Sequence, residues 1–149
     1  MSERFISQED AATIASMMDE TTGTANVLLL VGKNCRFCKE TRQLLEELQE
    51  ISPEHISLRV VDVDQDPEGP ALAEQYGTEG KTPAIIYLDA DGNDTGMRYY
   101  GIPSGYEFGA MIEDLVDVAN GRSQLSAASL EKVRSHDEDL VIRVFVTPT

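Results

Sequence analysis

The 149-residue sequence has no tryptophan, only two cysteines and few basic residues. Lys and Arg total 12 against 27 Asp and Glu, which gives a net charge of −15. Because nucleic-acid binding depends on clustered basic side chains, this composition argues against a nucleic-acid partner. The acidic excess is typical of a solubilising surface.

The sequence also lacks a long hydrophobic run. No segment approaches the roughly 20 apolar residues of a membrane helix, so we expect no membrane association. The first residues contain no basic segment followed by an apolar stretch and a cleavage site, which are the marks of an export signal. We therefore expect a cytoplasmic protein. A chain of this length can bury one sizeable core, and a second full domain is not expected.

The apolar pattern alternates between strand-like and helical segments. An uninterrupted apolar run at 27–31 predicts a strand covered on both faces, and helical spacing follows over 36–51. A second strand-like segment at 56–63 completes a right-handed crossover with parallel strands. The pattern also predicts a helix at 8–20 that is capped by Ser7, a short helix at 68–76, and an antiparallel hairpin formed by 84–89 and 97–102. A last helix should begin at a capping box formed by Ser104 and Glu107 and end at Gly121.

These elements predict one α/β domain over residues 1–121 and an extension over 122–149. The extension should contain a helix within 123–136 and a strand at 140–146. That strand has no successor along the chain, and an apolar strand without a partner exposes an edge. A homodimer formed by strand exchange is one way to cover it.

The two cysteines lie three positions apart, after the first predicted strand and at the start of the next helix. Free N–H groups and the helix dipole there favour a thiolate at Cys35, and Lys33, Arg36 and Lys39 are near in sequence. Cys38 lies one turn further and should be less accessible. The arrangement suits thiol–disulfide exchange, in which Cys35 attacks a disulfide and Cys38 resolves the product.

Two other roles for the pair remain open, namely metal or iron–sulfur binding and an inert structural role. Two thiolates cannot complete a tetrahedral zinc site alone, so a metal site would need a dimer or external thiols.

Thr82 and Pro83 immediately precede the first strand of the predicted hairpin. Proline cannot donate to the strand ladder, and a cis Thr82–Pro83 bond would turn the chain sharply. A bend that faces the cysteine loop would offer backbone groups to an extended substrate peptide.

Residues 20–120 resemble the thioredoxin/glutaredoxin fold. The stretch "YYGIPSGYEFGAMIEDLVDVANG" and the ending "VIRVFVTPT" resemble the N-terminal unit of glutaredoxin-like protein disulfide oxidoreductases of archaea and some bacteria. The resemblance implies a three-layer α/β/α structure with a mixed four-stranded sheet and a C-terminal helix and strand. It also implies a cofactor-free enzyme that acts on protein disulfides and takes electrons from a reductase or a low-molecular-weight thiol. The implied site consists of the nucleophile Cys35, the resolving Cys38 and the substrate-groove residue Pro83. We predict Thr82, Arg36 and Phe37 as further substrate-binding residues.

The sequence departs from that family in three ways. The family fuses two units, so the chain corresponds to a first unit plus the opening strand of a second, and the second CxxC is missing. Leu29 occupies the position of the buried carboxylate of thioredoxins, and Arg36 and Phe37 replace the usual residues between the cysteines. The alternative is therefore a redox-weak binding module.

Overall fold

Helices and strands alternate along the chain in the computed structural model, which describes residues 3–147. The last two residues of the ending "VIRVFVTPT" therefore lie outside the described residues. In chain order the elements are α1 (Gln8–Asp19), β1 (Ala25–Val31), α2 (Cys38–Ile51), β2 (Ile56–Asp62), α3 (Gly69–Gln75), β3 (Ala84–Leu88), β4 (Asp94–Tyr100), α4 (Tyr106–Asn120) and α5 (Ala127–Arg134).

The four strands form one mixed sheet in the order β2-β1-β3-β4. β1 pairs in parallel with β2 and antiparallel with β3, and β3 pairs antiparallel with β4. The four apolar residues from Val27 to Leu30 are all at most 3% exposed. This confirms that the run is a strand covered on both faces, as in the middle of a layered sheet.

The two faces of the sheet carry cores of different size. Successive residues of β1 point to opposite faces, so Leu29 joins one cluster and Leu30 the other. α1, α2 and α4 supply the larger cluster, whose members include Met18, Leu48 and Leu115. α3 alone covers the other face. The predicted three-layer α/β/α architecture is confirmed.

The hairpin of β3 and β4 has a shorter turn than the sequence predicts. One carboxylate oxygen of Asp89 accepts the N–H groups of Asp91 and Asn93 at 2.9 and 2.8 Å. The Asp89 N–H in turn donates to the carbonyl of Asn93 at 2.9 Å. Asp89 thus closes the turn by itself, and β4 begins at 94 rather than at 97.

The predicted capping box of α4 is wrong. Gly105 is the N-cap, with φ 61° and ψ −128°, and no side chain caps the helix. The positive φ turns the chain between Ser104 and the first helical residue, Tyr106, so Ser104 is one residue outside the cap position. The other end agrees with prediction, because Gly121 adopts the left-handed conformation at the C-cap.

The predicted strand at 140–146 is also wrong. Residues 135–147 contain no described helix or strand. Leu140, Val141, Ile142, Val144 and Phe145 are 69 to 92% exposed. A strand needs a ladder partner, and no described strand pairs with this segment. The helix before it, α5, forms as predicted but has no buried residue.

Candidate functional site

Cys35 and Cys38 form a disulfide at the carboxyl end of β1, with their Cα atoms 5.6 Å apart. Cys38 is the first residue of α2 and is 9% exposed. Cys35 is half-buried in the loop before the helix. The helix begins two residues later than predicted, because Phe37 has the non-helical dihedrals of an N-cap. Of the two sulfur-bearing residues, Cys35 is therefore the more accessible, as expected.

Two features hold the loop in front of Cys35. Asn34 has φ 57°, a left-handed conformation that asparagine tolerates better than most residues. The N–H of Lys33 donates to the Asp64 carboxylate at 2.7 Å, which fastens the loop to the segment after β2. Because the carboxyl ends of parallel strands meet at one edge, the turns after β1 and β2 lie together there.

Arg36 and Phe37 lie between the cysteines and contact each other. The Arg36 guanidinium is 5.1 Å from the centroid of the Phe37 ring, a cation–π distance. Arg36 is exposed and Phe37 is half-buried. The pair therefore covers the outer side of the disulfide loop, and Arg36 presents a positive charge there.

Thr82 and Pro83 approach the cysteine loop from β3. Their peptide bond is cis, and the Pro83 carbonyl accepts the N–H of Gly101 at 3.1 Å. Ala84 pairs with Leu30, so Pro83 lies beside the last residues of β1. The Thr82 methyl is so close to Gly32 that a Cβ placed there would meet it at 3.5 Å. The sheet register thus brings both predicted elements to one edge.

A groove of 290 Å³ lies between these elements. Its floor includes Val63 and Ala73, and polar groups of both signs surround it. The cysteine loop contributes Lys33 and Asn34, the turn after β2 contributes Asp64, and the segment before β3 contributes Thr78, Gly80, Lys81 and Thr82.

The interior next to Cys38 contains a hydroxyl but no described carboxylate of β1. Leu29 is 0% exposed and belongs to the larger core cluster. Thr41 is also 0% exposed and lies three residues after Cys38, on the same side of α2. Its Oγ1 has no hydrogen-bond partner among the described residues. A helical threonine commonly donates to the carbonyl four residues earlier, as Thr13 does to Glu9 at 3.1 Å.

Sequence reasoning missed Asn34, Asp64 and Thr41. An asparagine in a tight loop is a known signal for a left-handed residue, so Asn34 could have been found. Acidic residues that follow a parallel strand signal a hydrogen-bonded edge, which could have pointed to Asp64. No sequence signal marks the unpaired hydroxyl of Thr41, because it depends on the packing around α2.

Within 3–147 no group of three or more His, Cys, Asp or Glu side chains is placed to hold a metal ion. No described helix combines the length and the apolar character needed to cross a bilayer.

Solved structures resemble this arrangement. The alkylhydroperoxide reductase AhpF of Enterococcus faecalis matches with a TM-score of 0.77 at 24% identity, over 89% of this chain and 61% of that chain. A protein disulfide oxidoreductase of Aeropyrum pernix matches with 0.74 at 23% identity, over 87% and 54%. Thioredoxin-2 of a malaria parasite matches with 0.50 at 24% identity, over 64% and 86%. The chain has the thioredoxin fold.

The thioredoxin-fold chain spans about three fifths of the matched alkylhydroperoxide reductase chain and about half of the disulfide oxidoreductase. No protein-family model matches its sequence, and no curated protein sequence matches it. The solved structures thus establish the fold of most of the chain, including the residues around the cysteine pair.

Proposed function

We propose that the chain is a thiol–disulfide oxidoreductase that exchanges disulfides with protein substrates through Cys35 and Cys38. The observation that carries this proposal is the asymmetry of the bonded pair. Cys35 is half-buried in a loop beside a groove, and Cys38 is 9% exposed at the start of α2. An accessible attacking sulfur and a shielded resolving sulfur are the two parts that the exchange reaction needs.

The reaction proceeds in two displacements. The Cys35 thiolate attacks one sulfur of the substrate disulfide, forms a mixed disulfide and releases the other substrate sulfur as a thiolate. Cys38 then loses its proton and attacks the Cys35 sulfur, which expels the second substrate sulfur. The protein ends as the Cys35–Cys38 disulfide and the substrate as a dithiol. Two electrons have moved to the substrate. The proton of Cys38 neutralises one substrate thiolate, and solvent supplies the proton for the other.

The residues around the pair take supporting roles in this proposal. Thr82, which lines the groove, and the buried Pro83 next to it offer backbone groups to an extended substrate segment. Arg36, exposed beside Cys35, stabilises negative charge on its sulfur, and Phe37 gives the substrate an apolar contact. Because Leu29 is apolar, no carboxylate on β1 accepts the proton of Cys38, and solvent or the departing substrate thiolate takes it.

The electron donor that restores the dithiol is a reductase or a low-molecular-weight thiol. We assign the chemistry to the cytoplasm, where the disulfides of mesophilic proteins are mostly transient and catalytic. The pair fits that description, because Cys35 and Cys38 are the only cysteines of the chain.

A second candidate is a redox-weak binding module, the first unit of a two-unit protein disulfide oxidoreductase. The apolar segment 140–146 supports it, since Ile142 and Phe145 are 78 and 92% exposed and have no described strand partner. In this candidate the domain of residues 1–121 docks a partner, and a homodimer is one form that the docking takes.

Insulin reduction separates the two candidates. The wild-type protein and Cys35→Ser are compared with a dithiol as the electron donor. The oxidoreductase predicts rapid precipitation of reduced insulin chains with wild type and only the uncatalysed rate with Cys35→Ser. Equal rates from the two proteins would exclude the oxidoreductase and favour the binding module.

A further inference from the structure

The positive charges of the chain divide into two groups by their pairing. Five arginines form ion pairs with carboxylates at 4.0 Å or less, and all five lie outside the cysteine loop and the segment before β3. They neutralise part of the acidic surface locally, so they present little free positive charge. These arginines are Arg4, Arg42, Arg59, Arg98 and Arg122.

Four other cations lie in the cysteine loop, in the first turn of α2 and in the segment before β3, and none of them forms an ion pair with a described residue. Lys33 and Lys81 both line the groove, and both are exposed. Arg36 lies between the cysteines, and Lys39 follows Cys38 in the first turn of α2. We call these four residues the cationic rim. Within residues 3–121, every lysine or arginine without an ion pair belongs to it.

Acidic residues reduce the positive charge beside the groove. Asp64 lines the groove, and its carboxylate accepts the Lys33 N–H at 2.7 Å. Glu40 and Glu79 are near rim residues in sequence. Among the residues that line the groove itself, two lysines and one aspartate leave a net positive charge. The negative net charge of −15 therefore originates in the rest of the chain.

The difference in charge between the cationic rim and the rest of the chain affects how charged substrates approach. An acidic chain repels acidic partners at long range, and only a local region of the opposite sign attracts an acidic segment to one place. Salt screens such interactions over about 8–10 Å, so they act mainly on groups that come near the rim. Lys81 adds an aromatic contact, because its Nζ is 5.0 Å from the ring centroid of Tyr100, which is 41% exposed.

We propose that the cationic rim selects substrate disulfides flanked by acidic residues. This inference rests on the proposed oxidoreductase function and names its substrate class. The acidic flanks contact Lys33, Lys39 and Lys81 while the substrate disulfide reaches the Cys35 sulfur. The rim thus accelerates the encounter of the protein with acidic substrates.

Single-turnover kinetics test the proposal. The pre-reduced protein is mixed with one of three peptides of equal length, each containing one disulfide flanked by glutamates, serines or lysines. The second-order rate constant for protein oxidation is measured at low and high salt. We expect the glutamate peptide to react about tenfold faster than the lysine peptide at low salt and nearly equally at 1 M salt.

Substitutions in the cationic rim test whether its lysines cause the difference in rate between the peptides. A triple substitution of Lys33→Gln, Lys39→Gln and Lys81→Gln should bring the glutamate-to-lysine rate ratio close to one. The serine peptide measures the chemistry alone and corrects for any change in the reactivity of Cys35. Arg36 is left intact because it lies next to the nucleophile.

A matched control removes the same charge elsewhere. The triple substitution of Lys132→Gln, Arg134→Gln and Arg143→Gln alters three exposed cations of the extension and should preserve the wild-type rate ratio. Equal wild-type rates for acidic and basic peptides, or a ratio that survives the rim substitutions, would overturn the rim proposal while the serine peptide still reports oxidoreductase activity. Failure of wild type to reduce any peptide faster than Cys35→Ser would instead overturn the proposed function, and the rim proposal with it.

Discussion

The two halves of α2 differ in how their buried polar groups are paired. In the second half, Glu47 is 5% exposed, and its carboxylate accepts the N–H groups of Phe5 and Ile6 at 3.0 Å and the Gln43 amide at 2.9 Å. In the first half, the Thr41 hydroxyl is 0% exposed and has no hydrogen-bond partner among the described residues. One buried group is thus held by three donors, and the other by none.

The difference follows the roles of the two halves. Glu47 fastens the N-terminal segment to the helix, a task that only requires stability. Thr41 lies one turn from Cys38, next to the disulfide that we propose to be redox-active. Unsatisfied buried polar groups are rare and occur where function limits the packing. Within α2, the buried polar group that is fully hydrogen-bonded therefore lies in the half of the helix away from the cysteines.

Replacing the paired carboxylate should cause the largest loss of stability. Glu47→Ala leaves the N–H groups of Phe5 and Ile6 without an acceptor, which should lower the free energy of unfolding by roughly 3 kcal/mol. Urea denaturation of the oxidised protein measures the loss. Glu50→Ala is the control, because the Glu50 side chain is 64% exposed and pairs only with Arg4. A loss for Glu50→Ala as large as for Glu47→Ala would contradict the contrast between the halves of the helix.

The same carboxylate should make stability depend on pH. Burial raises the pKa of Glu47, but the hydrogen bonds from Gln43, Ile6 and Phe5, with the charge of Arg4, lower it overall. A lowered pKa in the folded state means that the stabilisation is present above the pKa of the unfolded chain and is lost as pH falls through the folded pKa.

Acid titration of stability checks this prediction. Wild type should be more stable than Glu47→Gln at neutral pH, and the difference should begin to shrink as pH falls below the pKa of a glutamate in the unfolded chain, about 4.3. Asp114 has a pKa raised by burial and by the nearby acids Asp117 and Glu113, but it titrates in both proteins and cancels in the comparison. If the stability difference between wild type and Glu47→Gln stays constant down to about pH 3, the charged form of Glu47 does not stabilise the fold.

The unpaired hydroxyl should respond in the opposite direction to Glu47. Thr41→Val removes a buried polar atom that has no partner, so the oxidised protein should keep its stability or gain about 1 kcal/mol. Thr21→Val is the matched control, since Thr21 is 6% exposed and its hydroxyl donates to the Met18 carbonyl at 2.7 Å. It should lose about 1 kcal/mol. Thermal unfolding that ranks the two variants in the reverse order would show that the Thr41 hydroxyl is paired.

The smallest effect is expected in the loop before Cys35. Asn34→Ala places a less tolerant residue at φ 57° and should cost about 1 kcal/mol or less, whereas Asn34→Gly should be nearly neutral. Chemical denaturation of the two variants measures this difference in the free energy of unfolding. If alanine is tolerated as well as glycine, the loop does not need the left-handed conformation at this position.

The individual strands of the sheet could be predicted from the sequence because each is marked by a local pattern. The apolar run at 27–31 is long enough to require cover on both faces, and β1 extends over Ala25–Val31. The cap at Ser7 was also predictable, since its hydroxyl accepts the N–H of Asp10 within four residues of chain, at 3.0 Å.

The errors and omissions arose where distant residues decide the outcome. The segment 140–146 has the composition of a strand, but only a ladder partner makes it one, and no described strand supplies it. The fastening of Lys33 by Asp64 crosses 31 positions and depends on the parallel register. The capping box failed for a local reason, because the conformation of Gly105 cannot be read from its identity alone.

Trapping of a substrate on the single-cysteine variants tests the central assignment most directly. Cys38→Ser, mixed with oxidised insulin, should accumulate a mixed disulfide on Cys35 that a dithiol releases, because no resolving thiol remains. Cys35→Ser should trap little, since Cys38 is 9% exposed. Intact mass spectrometry measures both adducts. Equal trapping by the two variants, or stronger trapping through Cys38, would contradict the roles assigned to the pair.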